Sequence, residues 1–339
     1  MDLPAFRRSL LRWFAKGKRP LPWRQTRDAY AIWVSEMMLQ QTTVATVIPY
    51  YARFMARFPD VEALAGSRED DVMALWSGLG YYSRARNLRL AAQTLVAAHG
   101  GRFPHDVERA MSLKGVGRYT ASAVTSIAFG TPAAVVDGNV RRVLSRVYAE
   151  RHLSPARAED LATRLLARRA AGPWNEAMME LGATVCTPRK PSCPLCPIAS
   201  RCQGKDRPEH WSEGAPRRAT LATRVEMALV IREDSVLLVR NPASSLMGGL
   251  LDLPHTGLPG RADARLADSY AALRIAPTPI ATVRHAVTHH RIKAVVFSAR
   301  LGRAGRLPDA EFHRLSDLET LPLSGLTRKA LRAAGQLSD

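Results

Sequence analysis

Leu113–Val124 reads LKGVGRYTASAV, with Gly115 and Gly117 flanking one apolar residue between two stretches of helical periodicity. Such a turn lets backbone N–H groups come close to an anion, and the helix that follows aims its positive end at the same point. A turn of this kind can also simply connect two helices. The surrounding composition favours the first use: 49 Lys and Arg stand against 30 Asp and Glu, a net charge of +19. A polyanion is the expected partner of such a chain, nucleic acid first. Only seven of the basic residues are Lys. Biased composition explains much of that, yet Arg also suits two-pronged phosphate contacts.

Outward from this turn, helical periodicity dominates the first two thirds of the chain. DVMALWSGL, ARNLRLAAQTLVAAH, YTASAVTSIAF, NVRRVLSRVYA and AEDLATRLLARRA all place apolar residues three to four apart. Residues 206–223, polar and punctuated by Pro and Gly, read as a linker. Beyond it, Val225–Ile231 and Val236–Val239 are β-branched runs flanking a hairpin turn, and Ile292–Arg300 reads as another strand. The sequence therefore predicts a multidomain chain: an all-α part over 1–205 and an α+β part over 224–339. The 339 residues suit two domains. Residues 1–223 hold 33 basic and 19 acidic side chains against 16 and 11 in the rest, so the helical part is the expected main nucleic-acid surface. With 46% hydrophobic and 23% charged residues, the composition excludes a disordered chain. No apolar run has membrane-spanning length, and the N-terminus shows no secretory pattern. The expectation is a cytoplasmic chain with no membrane partner.

The four cysteines, Cys186, Cys193, Cys196 and Cys202, fall in one loop over 186–202 with Arg189, Lys190 and Arg201 among them. With no sign of an oxidising compartment, disulfides are disfavoured. Zinc sites usually show two close Cys/His pairs, whereas this loop has a single C-x2-C. Four thiolates on one loop also suit a [4Fe–4S] cube, one sulfur per iron. The spacing favours the cube and leaves zinc open.

Two carboxylates stand out. Glu36 shares a helical stripe with Trp33, Met37 and Gln40, where an apolar residue belongs. Burial there would raise its pKa and let it hold a proton near neutrality, as a general acid must. Asp137 precedes a helix, the place of an N-cap, and helix-terminal N–H groups would keep a carboxylate ionised. A protonated acid and an ionised carboxylate make the pair that glycosidic cleavage uses.

LPWR (21–24), SEMMLQQT (35–42), GLGYYSRARNL (78–88), LKGVGRYTASAV (113–124), VVDGNVRRVL (135–144), NEAMMELGATVC (175–186) and the cysteine loop together resemble the adenine-specific mismatch DNA glycosylase family of the endonuclease III, helix-hairpin-helix superfamily. The resemblance covers nearly all of residues 3–202. It implies a helix-hairpin-helix over 106–130 with Gly115, Gly117 and Arg118 on DNA phosphate, and a [4Fe–4S] cluster on the four cysteines. It implies excision of adenine paired with 8-oxoguanine or guanine in duplex DNA, by a bacterial-type monomer acting on the nucleoid. Glu36 matches the general acid, Asp137 the carboxylate that stabilises the sugar cation, and Asn139 a polar support. Tyr119 stands where bifunctional relatives carry a Schiff-base lysine, and a phenol cannot form an imine, so a monofunctional enzyme is expected. Lys114 lies nearby but not at that position. Trp23, Arg24, Leu39 and Glu180 match residues around the extruded adenine, and Gln41, Leu79 and Tyr81 match the wedge beside 8-oxoguanine.

The C-terminal part resembles the family's Nudix-like reader of 8-oxoguanine, through LMGGLLDLP (246–254) and HAVTHH (285–290). Val287-Thr288-His289 replaces the usual Phe-Ser-His, with Thr288 and His289 as the expected lesion contacts. Residues 234–310 contain no Glu, so the metal-binding helix of a Nudix hydrolase is missing and a reader without hydrolase activity is expected. Two further readings compete. A bifunctional lyase of the same superfamily is opposed by Tyr119. A non-catalytic iron–sulfur DNA-binding protein is opposed by the Glu36–Asp137 pair.

Overall fold

A computed structural model describes residues 2–211, 219–242, 247–257, 265–287, 289–302, 307 and 309–337. The chain forms two compact units, one of residues 1–66 and 90–217, the other of 67–89 and 218–339. The sequence division at 205 and 224 ignores the excursion of 67–89. Nor are residues 206–211 free linker. A helical turn, Pro208–Trp211, is tied down, since Arg146 donates to the Pro208 carbonyl at 2.8 Å and Ser145 to that of Trp211 at 2.5 Å.

The first unit is helical. α1 (Leu3–Gly17) starts at Asp2, whose side chain accepts from the Ala5 N–H, and buries Phe6, Leu10 and Phe14 along one face. α2 (Ala29–Leu39) is capped by Asp28 and is buried on every side from Ala29 to Met38, so its apolar residues form no stripe. α3 (Val44–Arg57) and α4 (Val61–Ala65) follow, capped by Thr43 and Asp60. α5 (Glu69–Trp76) and the start of α6 (Ser83–His99) belong to the other unit. α7 (Val107–Met111) and α8 (Arg118–Phe129) make the predicted hairpin. Gly115 takes φ +77°, which a side chain would resist, whereas Gly117 is an ordinary N-cap at φ −86°. Gly117 brings no side-chain cap, and open space lies where a Cβ would stand, so the α8 N-terminus is left bare. Leu113 and Val116 anchor the turn in the interior.

α9 (Gly138–Val147), α10 (Pro155–Leu165) and α11 (Ala171–Thr184) complete the unit. They share with α1 a core built on Phe6, Leu10, Val143, Leu144, Leu161, Trp174 and Leu181. Gly182 lets α11 approach α9 closely: a Cβ there would lie 2.6 Å from the Asn139 Cβ.

The second unit holds β1 (Leu221–Arg232), β2 (Ser235–Arg240), β3 (Leu251–Asp252), β4 (Leu273–Val287), β5 (His290–Leu301) and β6 (Ala310–Arg314). Their order is β3-β2-β1-β5-β4, with β6 also paired to β2. β1 and β5 run parallel and the other pairs antiparallel. The predicted hairpin turns at Glu233, where φ is +55°. α12 (Leu266–Ser269) is short, and α13 (Gly325–Ala333), capped by Ser324, packs on β3, β4 and β5. Residues 67–89 belong here through specific bonds. Arg240 pairs with Asp70 at 2.9 Å, Ser77 donates to the Leu323 carbonyl at 2.5 Å, and Arg86 donates to the Gly248 carbonyl.

Candidate active site

Within the first unit, α2, α8, α9 and α11 converge on a cavity of about 180 Å³. Glu36, Tyr119, Asp137, Asn139, Trp23, Arg24, Leu39 and Glu180 all line it. These are the residues expected to do the chemistry and hold the base. Glu36 projects from the fully buried helix α2 and is only 4% exposed. The Tyr119 hydroxyl donates to Glu36 Oε2 at 2.7 Å and lies 3.5 Å from the Met179 sulfur. Burial pushes the Glu36 pKa from 4.5 to about 7. The Tyr119 hydrogen bond and Arg24 oppose that rise, and the charges of Asp137 and Glu176 add to it. Burial, reinforced by Glu36 and Asp137, raises the Tyr119 phenol far above its usual pKa, so it acts as a donor.

Asp137 is both a helix cap and a cavity residue. It accepts from the Val140 N–H at 2.7 Å and from Asn139 Nδ2 at 2.9 Å. The expectation that these donors keep its pKa low meets a stronger opposing effect. Burial raises it, and the N–H donors and Arg142 only moderate the rise. Tyr119 and Asp137 also line an adjoining open cleft with Arg118, Arg141 and the start of α9, which gives Asp137 a second, solvent-facing side. The site can thus hold a proton on Glu36 near neutrality beside a second carboxyl group that also faces an open cleft.

The floor of the cavity is ionic. Glu180 accepts two bonds from the Arg19 guanidinium at 2.7 Å each, one from the Arg19 backbone N–H at 3.3 Å and one from Arg24 at 2.9 Å. Burial raises its pKa, but the two guanidiniums outweigh that and hold it down at about 2. One turn earlier, Glu176 meets Arg24 at 3.4 Å and Arg27 at 3.6 Å. Trp23 forms a wall, edge-on to Tyr51 with centroids 5.4 Å apart.

Sequence reasoning missed Arg19, Glu176, Arg142 and Gly182. Glu176 had a signal, since it lies four residues before Glu180 on one helix face. Arg142 donates to Asn139 Oδ1 at 2.8 Å, to the Gly182 carbonyl at 2.7 Å and to the Cys186 carbonyl at 2.8 Å. It therefore joins the support of Asp137 to the cysteine loop.

The other expected residues lie outside this cavity. Arg118 is half exposed and bridges Glu108 at 3.1 Å and Glu159 at 3.4 Å. Gln41, in the first unit, is exposed with φ +58°. Tyr81, in the second unit, is 46% exposed with φ +48° and lies under the Arg84 guanidinium. Left-handed backbone at residues other than glycine is strained and collects at functional sites. Leu79 is 6% exposed. His289 packs against His290 with centroids 4.4 Å apart, and Thr288 lies outside the described residues.

All four cysteines line one pocket with Arg146, Val147, Ile198 and Lys205. Burial raises the Cys193 and Cys202 thiols and pushes Cys196 to about 11. The buried Arg146 donates to Cys186 Sγ at 3.2 Å and to the Thr187 and Pro188 carbonyls, fastening one side of the loop. Among the described residues no three His, Cys, Asp or Glu gather around one point as a single ion requires. Four cysteines lining one pocket are the donor set that a centre with one sulfur per iron would need.

Both parts of the chain are similar to known proteins. Residues 34–168 match the HhH-GPD superfamily of base excision DNA repair proteins, and residues 226–333 match the NUDIX domain. An adenine DNA glycosylase of Rattus norvegicus is 48% identical over 61% of this chain, and the match spans 43% of that longer protein. An adenine DNA glycosylase of Buchnera aphidicola is 33% identical over 74% of this chain and 73% of its own length. The solved structure of a thermostable thymine-DNA glycosylase superposes with a TM-score of 0.56 at 30% identity, covering 60% of this chain and 97% of that one. With its catalytic-type cavity in the helical unit and its Nudix-like sheet, the chain belongs to the adenine DNA glycosylase family.

Proposed function

We propose that the protein removes adenine mispaired with 8-oxoguanine or guanine from duplex DNA, by acid-assisted cleavage of the N-glycosidic bond. The observation that carries this reading is Glu36, buried, hydrogen-bonded by Tyr119 and protonated up to about pH 7, in one cavity with Asp137. The target nucleotide leaves the stack and its base enters between Trp23 and Leu39, above the Glu180–Arg24 pair. Glu36 delivers its proton to the departing base. Asp137, held by Asn139 and the α9 N–H groups, stabilises the positive sugar. Water then adds to the sugar from the open cleft and gives its proton to a carboxylate of the Glu36–Asp137 pair, which leaves free adenine and an abasic site and restores the proton that Glu36 donated. No lysine reaches the reacting carbon from the Tyr119 position, so the strand stays intact.

Gly115, the bare α8 N-terminus at Gly117, and Arg118 once released from Glu108 and Glu159 would hold phosphate. Gln41, Leu79 and Tyr81 would fill the gap in the stack, and Thr288 and His289 would contact 8-oxoguanine. Cys186, Cys193, Cys196 and Cys202 would hold a [4Fe–4S] cluster, which supplies a cross-link that fixes the basic loop and no acid or base. Iron analysis of protein made without oxygen should give about four irons per chain. Zinc in their place would reject the assignment.

Duplexes carrying A opposite 8-oxoguanine, A opposite G, C opposite 8-oxoguanine, T opposite G, and thymine glycol test the function. Base release and strand scission are scored separately. Adenine release without scission is expected, fastest opposite 8-oxoguanine. Release of thymine, or scission with release, would overturn the reading.

A further inference from the structure

The register of the C-terminal sheet sets cations side by side. Arg224 on β1 lies directly across from Lys293 on β5, and Lys293 directly across from Arg284 on β4. Two residues nearer the 287–290 turn, Arg291 stands between Ala222 and Ala286. These four cations and two alanines are exposed, while the alternate residues Thr223, Val225, Ile292, Ala294 and Val283 face inward. One solvent face therefore carries a row of three cations with a fourth beside it. Like charges directly opposite destabilise a sheet. Glu226 relieves only one end, taking Arg224 at 3.4 Å and Arg265 at 2.8 Å. Among the described residues no carboxylate pairs with Arg284, Lys293 or Arg291.

The geometry points to a second nucleic-acid contact on this face: a row that binds the phosphate backbone beside the turn at 287–290. This rests on the reading that the chain acts on duplex DNA. Strands lie about 4.8 Å apart, so the row is about 10 Å long, and a DNA strand rises about 3.4 Å per phosphate. Because the strand also winds about the axis, successive phosphates stand farther apart than this rise, and the row reaches about two of them. The flanking alanines keep the surface low, so a backbone can lie across it. The charge repulsion the sheet carries without DNA is relieved when phosphates occupy the row.

The test is the salt dependence of duplex affinity, measured with the full chain. Each phosphate contact adds about 0.9 to the slope of log affinity against log salt. Arg284→Gln with Lys293→Gln should lower the slope by about 1 to 2. The charge-conserving pair Arg284→Lys with Lys293→Arg should keep it, which separates charge from folding. Arg274→Gln with Arg300→Gln removes the same charge from a directly opposed pair at the far end of the same hairpin, and should change the slope by less than about 0.5. An unchanged slope in the first variant, or an equal fall in the far pair, would overturn the row while leaving the enzyme reading intact. Failure of the unaltered chain to bind duplex at all would overturn both. Loss of binding to anionic phospholipid vesicles in the first variant, with no change on DNA, would assign the row to a membrane surface instead.

Discussion

Glu36 carries two consequences of one burial. Folded, it holds its proton to about pH 7, and unfolded only to about 4.5. Between those values the native state binds more protons than the unfolded chain, so stability falls as pH rises through the window. The total fall is roughly 3 kcal/mol. The active form is the protonated one, so excision should also decline as pH rises past about 7. Glu36→Gln should lose about 10²–10⁴-fold in single-turnover excision, keep duplex binding, and melt higher than the parent at pH 8. A variant within tenfold of the parent rate would show that Glu36 is not the acid. Tyr119→Phe tests the same proton from the other side. The phenol holds the Glu36 pKa down, so its loss should move the alkaline limb of the pH–rate profile to higher pH. An unmoved limb would mean that another group titrates there. Glu36 and Asp137 were legible in the sequence because each is a carboxylate where local pattern asks for something else or for a cap. Arg19 and Arg142 were not. In a chain so rich in Arg, a guanidinium that ends on a buried acid looks like any surface cation until the fold brings its partner, as Glu180 is brought to Arg19 from 161 residues away.

At the level of elements, the site depends on how closely α9 and α11 cross. Asn139 at the start of α9 orients Asp137, and it sits against Gly182 of α11 where a methyl group has no room. Gly182→Ala should therefore press on Asn139 as well as on the helix pair. The expected cost is about 1–3 kcal/mol in stability, with a fall in the excision rate larger than any change in duplex affinity. Equal losses in both, or in neither, would mean that the crossing does not position Asp137. The helices themselves were readable: α8, α9 and α10 begin and end within a few residues of the periodic runs that predicted them. The crossing was not readable, since NEAMMELG shows that Gly182 lies on a buried helix but not which neighbour comes near it. α2 shows the complementary limit. Its stripe logic drew attention to Glu36, yet the helix is buried all round, and periodicity does not separate a fully buried helix from a one-sided one.

For the whole molecule, the sequence yielded two domains and the change from helix to strand between them, but not the allegiance of residues 67–89. DVMALWSGL is amphipathic, which predicts that one face is covered without saying by what. The partners of residues 67–89 lie more than 150 residues away: Asp70 on Arg240, Ser77 on the Leu323 carbonyl, and Arg86 on the Gly248 carbonyl. This changes what a truncation at residue 217 would do. Removing 218–339 takes away the expected 8-oxoguanine contacts and also the hydrogen-bond partners of α5 and of the segment carrying Leu79 and Tyr81. The truncated chain should then lose its preference for A opposite 8-oxoguanine over A opposite G, and its absolute rate on both should drop as well. Residues 67–89 should become the first site of limited proteolysis and should exchange their amide hydrogens faster. Replacing His289 alone by Ala in the full chain keeps those partners, so it should reduce the preference by about 5–150-fold at most and leave 67–89 protected, as expected for the loss of one or two hydrogen bonds. If the truncated chain instead keeps 67–89 protected and loses only the preference, the segment holds its shape without the sheet, and the two losses have separate causes.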